Sequence, residues 1–456
     1  MALPTALLES LHHVPGYDEN GFIRVHESNL NITSVRFNKY KPIAGEQEYL
    51  PLKRQVPWNE AGYYLAERPS FTLDPLFHAG AYYVQEAGSM FVAQALQQSG
   101  MLDKPLTVLD LCAAPGGKTT LIQNMISEQS VLVANEVIKT RVPVLIENLT
   151  KWGADNTIVI NNDPSEIGKL QGIFDIIVVD APCSGSGLFR RDKNAIKEWS
   201  PEAVTLCSKR QQRILSDIWP ALKPGGLMIY STCSYSREEN ENIAKFLEET
   251  NHAEILELNN IDKTWGIVES PVGNGTGYRF YPDKVDSEGF FLCCVRKSDT
   301  DGHIQYLSEA ADKTDKKTEA LAKDWLNANT DYQVYQNKEQ VFAMPLPTFK
   351  LFNVLKKHLN IRKAGFKVGD IAHNKLVPDH ALALSEKYTA NIDGIELNKK
   401  QALQYLSKLN FDFEEDIKDG WYIVKYRHLS LGFVKKIGNR FNNYYPKDWR
   451  IRQSID

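Results

Sequence analysis

The sequence has few cysteines and no long apolar run, and both absences limit what the protein can be. Six cysteines are spread over 456 residues and none stands in a CxxC pair, so we expect neither a disulfide scaffold nor a zinc site. No stretch has the length of apolar residues that a bilayer requires, and the N-terminus lacks the basic and apolar segments of a signal peptide. We therefore predict a cytoplasmic protein that uses no membrane and no metal.

The chain also lacks an excess of charge of one sign. Lys and Arg number 53 against 57 Asp and Glu, a formal net charge of −4, so binding to a polyanion must come from local basic patches. Hydrophobic residues make up 43% of the chain and charged residues 24%, which is ordinary for a folded soluble protein. A chain of 456 residues is too long for one compact core, and we expect a monomer with several domains.

Changes of pattern divide the sequence into four parts. Residues 1–81 mix short strand-like runs, GFIRV and ITSVRF, with Pro and Gly, and predict a small α/β domain. Residues 82–297 alternate apolar strands with amphipathic segments, which is typical of a doubly wound, mainly parallel sheet. Residues 298–320 are polar and charged, as in a linker, and residues 321–456 hold a helical piece and a short β-rich domain.

The loop VLDLCAAPGGKTT, residues 108–120, joins the first strand of this sheet to a helix. Its end resembles a phosphate-binding loop, but Cys112 stands where that loop needs a glycine. The carboxylate of Asp110 would also repel a triphosphate. Gly116 and Gly117 precede a helix whose N-terminal amides favour a carboxylate. The loop therefore predicts a site for a ligand less anionic than ATP, at the carboxyl edge of the sheet.

The next two strands end in acids that fit such a ligand. Glu136 stands 26 residues after Asp110, about where an acid accepts two ribose hydroxyl groups, and Asp163 would lie beside an adenine. A nucleoside with an amino-acid tail, such as S-adenosylmethionine, fits this set better than a dinucleotide. The alternative is an ordinary glycine turn with acids that cap helices. Three motifs in register favour the cofactor site.

Two cysteines follow the fourth and fifth strands. Cys183 lies in DAPCSGSGLFRRD and Cys233 lies in YSTCSYSREENE, so both are expected at the ligand edge, beside the cofactor. A lone cysteine is usually an inert core residue, but turn-forming residues surround these two. The inert interpretation is kept for Cys207, Cys293 and Cys294.

The segments LDLCAAPGGKTT, DAPCSGSGLFRRD, LKPGG and YSTCSYSREENE stand in one order and spacing. In these segments the region 82–297 resembles the RNA 5-methylcytosine methyltransferases of the Nop/Sun group. The resemblance implies that Cys233 is the nucleophile, that Cys183 assists it and that Asp180 hydrogen-bonds the cytosine ring. The residues that it places around S-adenosyl-L-methionine are Cys112, Ala113, Ala114, Pro115, Gly116, Gly117, Lys118, Glu136, Arg141, Asp163 and Asp180.

The chemistry of cytosine explains why two thiols are useful. C5 is too weak a nucleophile to accept a methyl group, so a thiolate first adds to C6. After methyl transfer, a second group must remove the C5 proton so that the thiolate can leave. The residues alone leave open which cysteine attacks, because the DNA 5-methylcytosine enzymes use a Pro-Cys thiol. Only the family resemblance assigns the attack to Cys233.

The last 32 residues carry eight Lys or Arg against two Asp. Basic groups follow phosphates and aromatic rings stack on bases, although a solvated basic tail around a small aromatic core is an alternative. The aromatic residues of this segment are Tyr426, Phe433, Phe441, Tyr444, Tyr445 and Trp449. The segment resembles the RNA-binding extension of RsmF-type bacterial enzymes, which modify 16S ribosomal RNA.

The predicted fold class is therefore α/β. A Rossmann-like methyltransferase domain is expected between a small N-terminal α/β domain and a C-terminal RNA-binding extension that ends in a small β-rich domain. The expected substrate is 16S ribosomal RNA or the small ribosomal subunit, with transfer RNA as an alternative. A non-catalytic ribosome-assembly factor is a second alternative, but such a protein has no need of Cys183, Cys233 and Asp180.

Overall fold

The structure is a computed structural model that describes residues 3–28, 31–43, 45, 49–299, 316–327, 330–385, 392–410 and 417–455. Most of the predicted linker, at residues 300–315, lies outside the described residues. Within the described part, no helix is both long and apolar enough to cross a bilayer.

The N-terminal region combines short helices with an antiparallel sheet of order β2-β3-β1-β4. Its elements are α1 (Thr5–Leu11), α2 (Glu19–Glu27), β1 (Ser34–Phe37), β2 (Leu52–Val56), β3 (Asn59–Leu65), α3 (Pro75–Ala79) and β4 (Tyr82–Val84). The run GFIRV was expected to be a strand, and this expectation is wrong because it lies inside α2. Phe22 and His26, four residues apart, are the buried positions of that helix, which is the spacing of one helix face.

The central region is a large twisted sheet with helices on both faces. Its elements up to the fourth strand are α4 (Val92–Gln97), β5 (Thr107–Asp110), α5 (Gly117–Met125), β6 (Val131–Asn135), α6 (Val142–Trp152), β7 (Thr157–Ile160), α7 (Pro164–Gly168) and β8 (Phe174–Asp180). The elements that follow are α8 (Lys193–Glu198), α9 (Pro201–Ile218), β9 (Leu222–Thr232), α10 (Glu241–Asn251), β10 (Glu254–Leu256), β11 (Val268–Val272), β12 (Gly275–Phe280) and β13 (Phe290–Arg296).

Strands β7, β6, β5, β8 and β9 are parallel neighbours, in that order. Alternate residues of the strands point into two apolar clusters on opposite faces: Leu109 and Ile177 join one, and Val108 and Ile176 join the other. Burial on both faces explains why these strands read as continuous apolar runs. The sheet brings the turns after β5, β6, β7, β8 and β9 to one edge.

The C-terminal region contains two further sheets, β14-β15-β17-β18 and β19-β20-β21-β22. Its first elements are α11 (Lys316–Lys323), β14 (Tyr332–Asn337), β15 (Gln340–Pro345), α12 (Leu346–Leu355), β16 (Ile361–Ala364), β17 (Phe366–Ala372), β18 (Lys375–Pro378) and α13 (His380–Leu384). Its last elements are β19 (Gly394–Glu396), α14 (Lys399–Leu406), β20 (Gly420–Tyr426), β21 (Leu429–Ile437) and β22 (Arg440–Asn443).

One strand of this region extends the central sheet. β16 pairs antiparallel with β7, and the backbone N–H of Asn360 donates to the side-chain oxygen of Asn162 at 2.9 Å. The C-terminal region therefore contacts the carboxyl end of β7, and the candidate site lies along the carboxyl ends of these parallel strands. The domain limits drawn from the sequence stay predictions.

Candidate active site

The loop after β5 begins the candidate site. Gly116 has a φ of +116°, in the left-handed region that favours glycine, and caps α5. A helix that starts in this way leaves N–H groups of its first turn without partners inside the helix. The start of α5 therefore offers N–H donors, and binding of a ligand's carboxylate there stays a prediction.

Two buried carboxylates stand at the ends of β5 and β6. Asp110 is fully buried, and its Oδ2 accepts from the Thr119 hydroxyl at 2.6 Å. Burial raises the pKa of Asp110 to about 7. Glu136 is 2% exposed, and its Oε1 accepts from the Ile138 N–H at 2.8 Å. Asp110 Oδ1 accepts no hydrogen bond from any residue that the structure describes, and Glu136 Oε2 has only an ion-pair contact with Arg141 there. A ligand with N–H or O–H groups would supply the missing donors.

Arg141 connects Glu136 to the loop after β5. Its Nη1 lies 3.2 Å from Glu136 Oε2, and its Nη2 donates to the Ala114 carbonyl at 2.5 Å. Burial and the negative charge of Asp110 raise the pKa of the Cys112 thiol, so Cys112 is a neutral part of the loop. The structure thus brings Glu136, Arg141 and the loop residues together.

Asp163 has other partners. Its side chain caps α7 through the Ser165 N–H at 3.1 Å and hydroxyl at 2.8 Å, and it lies 3.2 Å from Arg213. Burial opposes the charge of Asp163, but the bonds from Ser165 and Arg213 outweigh it and lower its pKa. This is the helix-capping role that the sequence left as an alternative, and a cofactor contact by Asp163 stays a prediction.

An ion pair joins the loop after β5 to the end of β8. Lys118 Nζ lies 2.8 Å from Asp180 Oδ2, while Asp180 Oδ1 accepts from the Ser231 hydroxyl at 3.1 Å. Burial opposes the charge of Lys118, but Asp180 outweighs it and raises the pKa of Lys118. The Asp180 side chain remains 38% exposed, so a substrate can reach it.

The two cysteines lie side by side. Cys183 follows β8, Cys233 follows β9, and their sulfur atoms are 3.1 Å apart. The hydrogen bond to Cys233 and, next, burial raise the pKa of Cys183 well above its ordinary value. The pair can therefore combine one protonated thiol with one nucleophilic sulfur.

The other cysteines lie elsewhere. Cys293 and Cys294 are buried in β13, where burial raises the pKa of each thiol, and Cys207 is half-buried on α9. In the described part of the chain, no group of three or more His, Cys, Asp or Glu residues could hold a metal ion.

Two buried charged residues near the site were not predicted from the sequence. Arg36 of β1 donates to the Thr120 hydroxyl at 2.6 Å and to Gln85 Oε1 at 2.8 Å, so the N-terminal region holds the first turns of α5. Glu239 lies behind the two cysteine turns. The sequence has no signal for Arg36, whereas Glu239 belongs to the segment YSTCSYSREENE that marks Cys233.

The C-terminal sheet divides its aromatic residues between core and surface. Phe433 and Tyr445 are buried, as in the small aromatic core that the sequence left as an alternative. Tyr444 is 37% exposed and packs on Trp421, with 4.5 Å between ring centroids. Lys435 lies 5.1 Å from the centroid of the Trp421 ring. Trp421, Lys435 and Tyr444 form what we term the aromatic–basic surface.

Three parts of the chain match described protein families. Residues 3–87 match the N-terminal domain of 16S rRNA methyltransferase RsmF, and residues 101–296 match 16S rRNA methyltransferase RsmB/F. Residues 394–451 match the methyltransferase RsmF PUA domain.

Relatives match over most of their length. Ribosomal RNA small subunit methyltransferase F of Aeromonas salmonicida is 30% identical over 438 residues, which cover 91% of this chain and 90% of that protein. The enzyme of the same name from Shewanella loihica is 31% identical over 412 residues, which cover 86% of this chain and 83% of that protein.

Solved structures share the fold. A methyltransferase homologue from Pyrococcus horikoshii is 30% identical with a TM-score of 0.50, over 65% of this chain and 100% of that chain. NSun6 from Pyrococcus horikoshii, at 20% identity and a TM-score of 0.54 over 66% of this chain and 99% of that chain, shows the fold alone. The predicted α/β fold class and the resemblance to RsmF-type enzymes are confirmed. The chain belongs to the RsmF family of 16S ribosomal RNA methyltransferases.

Proposed function

We propose that this protein transfers the methyl group of S-adenosylmethionine to C5 of a cytosine in 16S ribosomal RNA, through a covalent bond between cysteine and cytosine. The observation that carries this proposal is the contact between Cys183 and Cys233 at the ligand edge of the sheet. Methylation of a nitrogen or oxygen atom needs no thiol, because those atoms are nucleophiles themselves. Methylation of C5 needs one to activate the ring and is helped by a second.

The buried acids fit the cofactor. Glu136 Oε2 would accept from the ribose hydroxyl groups, Asp110 Oδ1 would accept from the ammonium group of the methionine tail, and the start of α5 would receive its carboxylate. When bound, S-adenosylmethionine supplies an electrophilic methyl group on a sulfonium ion. Arg141 contacts both Glu136 and the Ala114 carbonyl of the loop, and Lys118 pairs with Asp180 at the end of β8.

The two thiols take different roles in the proposed reaction. Cys233 gives its proton to solvent, its sulfur forms a bond to C6 of cytosine as the C5–C6 double bond opens, and C5 then takes the methyl group. The hydrogen bond to Cys233 is the largest cause of the raised pKa of Cys183, and this bond is lost once the Cys233 sulfur is bonded to carbon. The Cys183 thiol then releases its proton to solvent more readily, and its thiolate accepts the proton from C5. The C6–sulfur bond breaks as the ring regains its double bond.

Asp180 and the C-terminal region would place the base. The ion pair with Lys118 holds the partly exposed Asp180 at the end of β8, three residues before Cys183, where its carboxylate would accept from the exocyclic amino group of cytosine. A pyrimidine reaches such a site only when it is unpaired or extruded. The PUA-type domain, with its aromatic–basic surface, would bind the 16S ribosomal RNA around the target cytosine. The reaction would take place in the cytoplasm.

The experiment that tests this function analyses the methylated nucleoside. The purified protein is incubated with 16S ribosomal RNA or small subunits from a strain that lacks it, together with S-adenosylmethionine labelled in the methyl group. Digestion and mass spectrometry should give labelled 5-methylcytidine with wild-type protein and with Cys207→Ala, and none with Cys233→Ala. Label in N4-methylcytidine, or in any nucleoside other than 5-methylcytidine, would contradict the proposal.

A further inference from the structure

A single buried carboxylate connects the two turns that carry the thiols. Glu239 is fully buried. Its Oε1 accepts from the backbone N–H of Ser184 at 2.7 Å, and its Oε2 accepts from the hydroxyl groups of Ser184 at 2.6 Å and Ser234 at 2.5 Å. Ser184 directly follows Cys183 and Ser234 directly follows Cys233. Each thiol is therefore one residue away from the same carboxylate.

The carboxylate is itself held in place. The Tyr230 hydroxyl donates to the backbone carbonyl of Glu239 at 2.6 Å. The side chain of the next residue, Asn240, donates to the Ser234 carbonyl at 2.8 Å and accepts from the Thr232 hydroxyl at 2.5 Å. Because strand β9 and its turn fix the Glu239 backbone, the position of the Cys183 turn follows from that of the carboxylate.

The charge of Glu239 is costly for stability. Burial raises its pKa, and only the neutral donors Ser184 and Ser234 oppose that effect among the larger causes. A buried carboxylate without a cation beside it destabilises a fold relative to a neutral group. Its negative charge also adds to the hydrogen bond with Cys233 and to burial in raising the pKa of Cys183. The group is therefore better explained by the thiols than by stability.

We propose that Glu239 is a positioning residue that holds Cys183 and Cys233 in thiol–thiol contact. It reaches the reaction only through the two cysteine turns, because each of its oxygens is occupied by a serine. Its catalytic consequence rests on the proposed function, whereas the thiol–thiol contact is a property of the protein alone. The two can be tested separately.

The variant Glu239→Gln keeps the shape of the side chain but removes its charge and one strong acceptor. Glu238→Gln is the matched control, because Glu238 is the adjacent residue and is exposed. The first measurement uses neither RNA nor cofactor. The protein is equilibrated in buffers of reduced and oxidised glutathione. Cys183 and Cys233 form a disulfide by giving two electrons and two protons to one glutathione disulfide, which becomes two molecules of reduced glutathione.

Mass spectrometry of the Cys183–Cys233 disulfide then gives the effective concentration of one thiol at the other. We expect Glu239→Gln to lower that concentration on the order of tenfold, because proximity governs it, and Glu238→Gln to leave it unchanged. A value for Glu239→Gln within twofold of wild type, or above it, would overturn the proposal. Thermal unfolding shows whether Glu239→Gln is folded. If it is not, Ser184→Ala and Ser234→Ala are used instead, because each removes one hydroxyl group that donates to Glu239, and each must lower the effective concentration.

The second measurement is methyl transfer. Glu239→Gln should lower kcat on the order of 100-fold, as misplaced reacting groups do, with little change in KM for RNA or cofactor. The rise of the rate with pH should also begin at lower pH, because the proposed release step uses the Cys183 thiolate and the charge that raises the pKa of Cys183 is gone. A merely structural role would not move this profile. If the wild type is active and Glu239→Gln is equally active, the Glu239 proposal is overturned but the proposed function is not. If the wild type is inactive, the proposed function is contradicted, and the disulfide measurement alone decides the Glu239 proposal.

Discussion

The sulfur atoms of Cys183 and Cys233 lie 3.1 Å apart although 50 residues separate them in the sequence. The contact exists because β8 and β9 are parallel neighbours, with Asp180 opposite Ser231. The turns that follow such strands leave the sheet at the same edge. The fold therefore pairs two thiols that neither turn could bring together alone.

Glu136 gives a direct test of the cofactor site. We expect Glu136→Gln to weaken binding of S-adenosylhomocysteine about tenfold to hundredfold, because a hydrogen bond to a charged group contributes about 1.5–3 kcal/mol. Isothermal titration calorimetry measures this, with Glu249→Gln, a change of an exposed helix residue, as the control. Unchanged affinity, or tighter binding of ATP with magnesium than of S-adenosylhomocysteine, would contradict the account.

Asp110 makes stability depend on pH. Its folded-state pKa is about 7, above the value of about 3.9 expected in the unfolded chain. The folded state therefore keeps a proton that the unfolded state loses. The contribution of Asp110 to stability is complete below about pH 4 and is lost as the pH rises to about 7.

The test compares wild type with Asp110→Asn, which does not titrate. The free energy of unfolding of the variant should rise relative to wild type between about pH 4 and pH 7, by at most about 1.4 kcal/mol per pH unit. Urea unfolding at pH 4.5 and pH 7 measures it. The same difference between the two proteins at both pH values would show that Asp110 is charged when folded.

The aromatic–basic surface should contact RNA. Deletion of residues 425–456 is too blunt a test, because it removes all of β21 and β22, the end of β20, and the buried Phe433 and Tyr445. Lys435→Gln should instead weaken binding of 16S ribosomal RNA and reduce its salt slope by about 1. Tyr444→Ala should weaken the free energy of RNA binding by about 1–3 kcal/mol, because a base is expected to stack on the Tyr444 ring.

Filter binding at several salt concentrations measures both effects, and the control is Lys245→Gln on α10 of the methyltransferase region. Equal slopes for wild type and Lys435→Gln, together with unchanged affinity for Tyr444→Ala, would place the RNA on another surface.

The sequence predicted the parts of the fold whose signal is local. The strands around Asp110 and Asp180 read as apolar runs because both faces of the sheet are covered, and the acids and cysteines follow their ends. GFIRV was assigned wrongly because five residues are too few to distinguish the period of a strand from that of a helix. The packing of Phe22 on Tyr235, with 4.9 Å between ring centroids, selects the helix.

Other contacts depend on parts of the chain that are far apart. Asn360 of the C-terminal region bonds Asn162 at the end of β7 across 198 residues, and Arg36 reaches Thr120 across 84. No local pattern marks such pairs, because only the assembled sheet brings them together. For Glu239, the sequence shows the acid but not the two serines that it joins.

In the proposed reaction Cys233 attacks C6 and Cys183 allows its release, and the covalent protein–RNA species tests these two roles most directly. Each cysteine is replaced by alanine, the protein is incubated with 16S ribosomal RNA and S-adenosylmethionine, and the products are separated on a denaturing gel with and without ribonuclease. Cys207→Ala is the control, and cofactor binding by each variant shows that the site is intact. We expect Cys183→Ala to accumulate a slow, ribonuclease-sensitive band and Cys233→Ala to form none. A trapped band with Cys233→Ala and none with Cys183→Ala would contradict the account and assign the attack to Cys183.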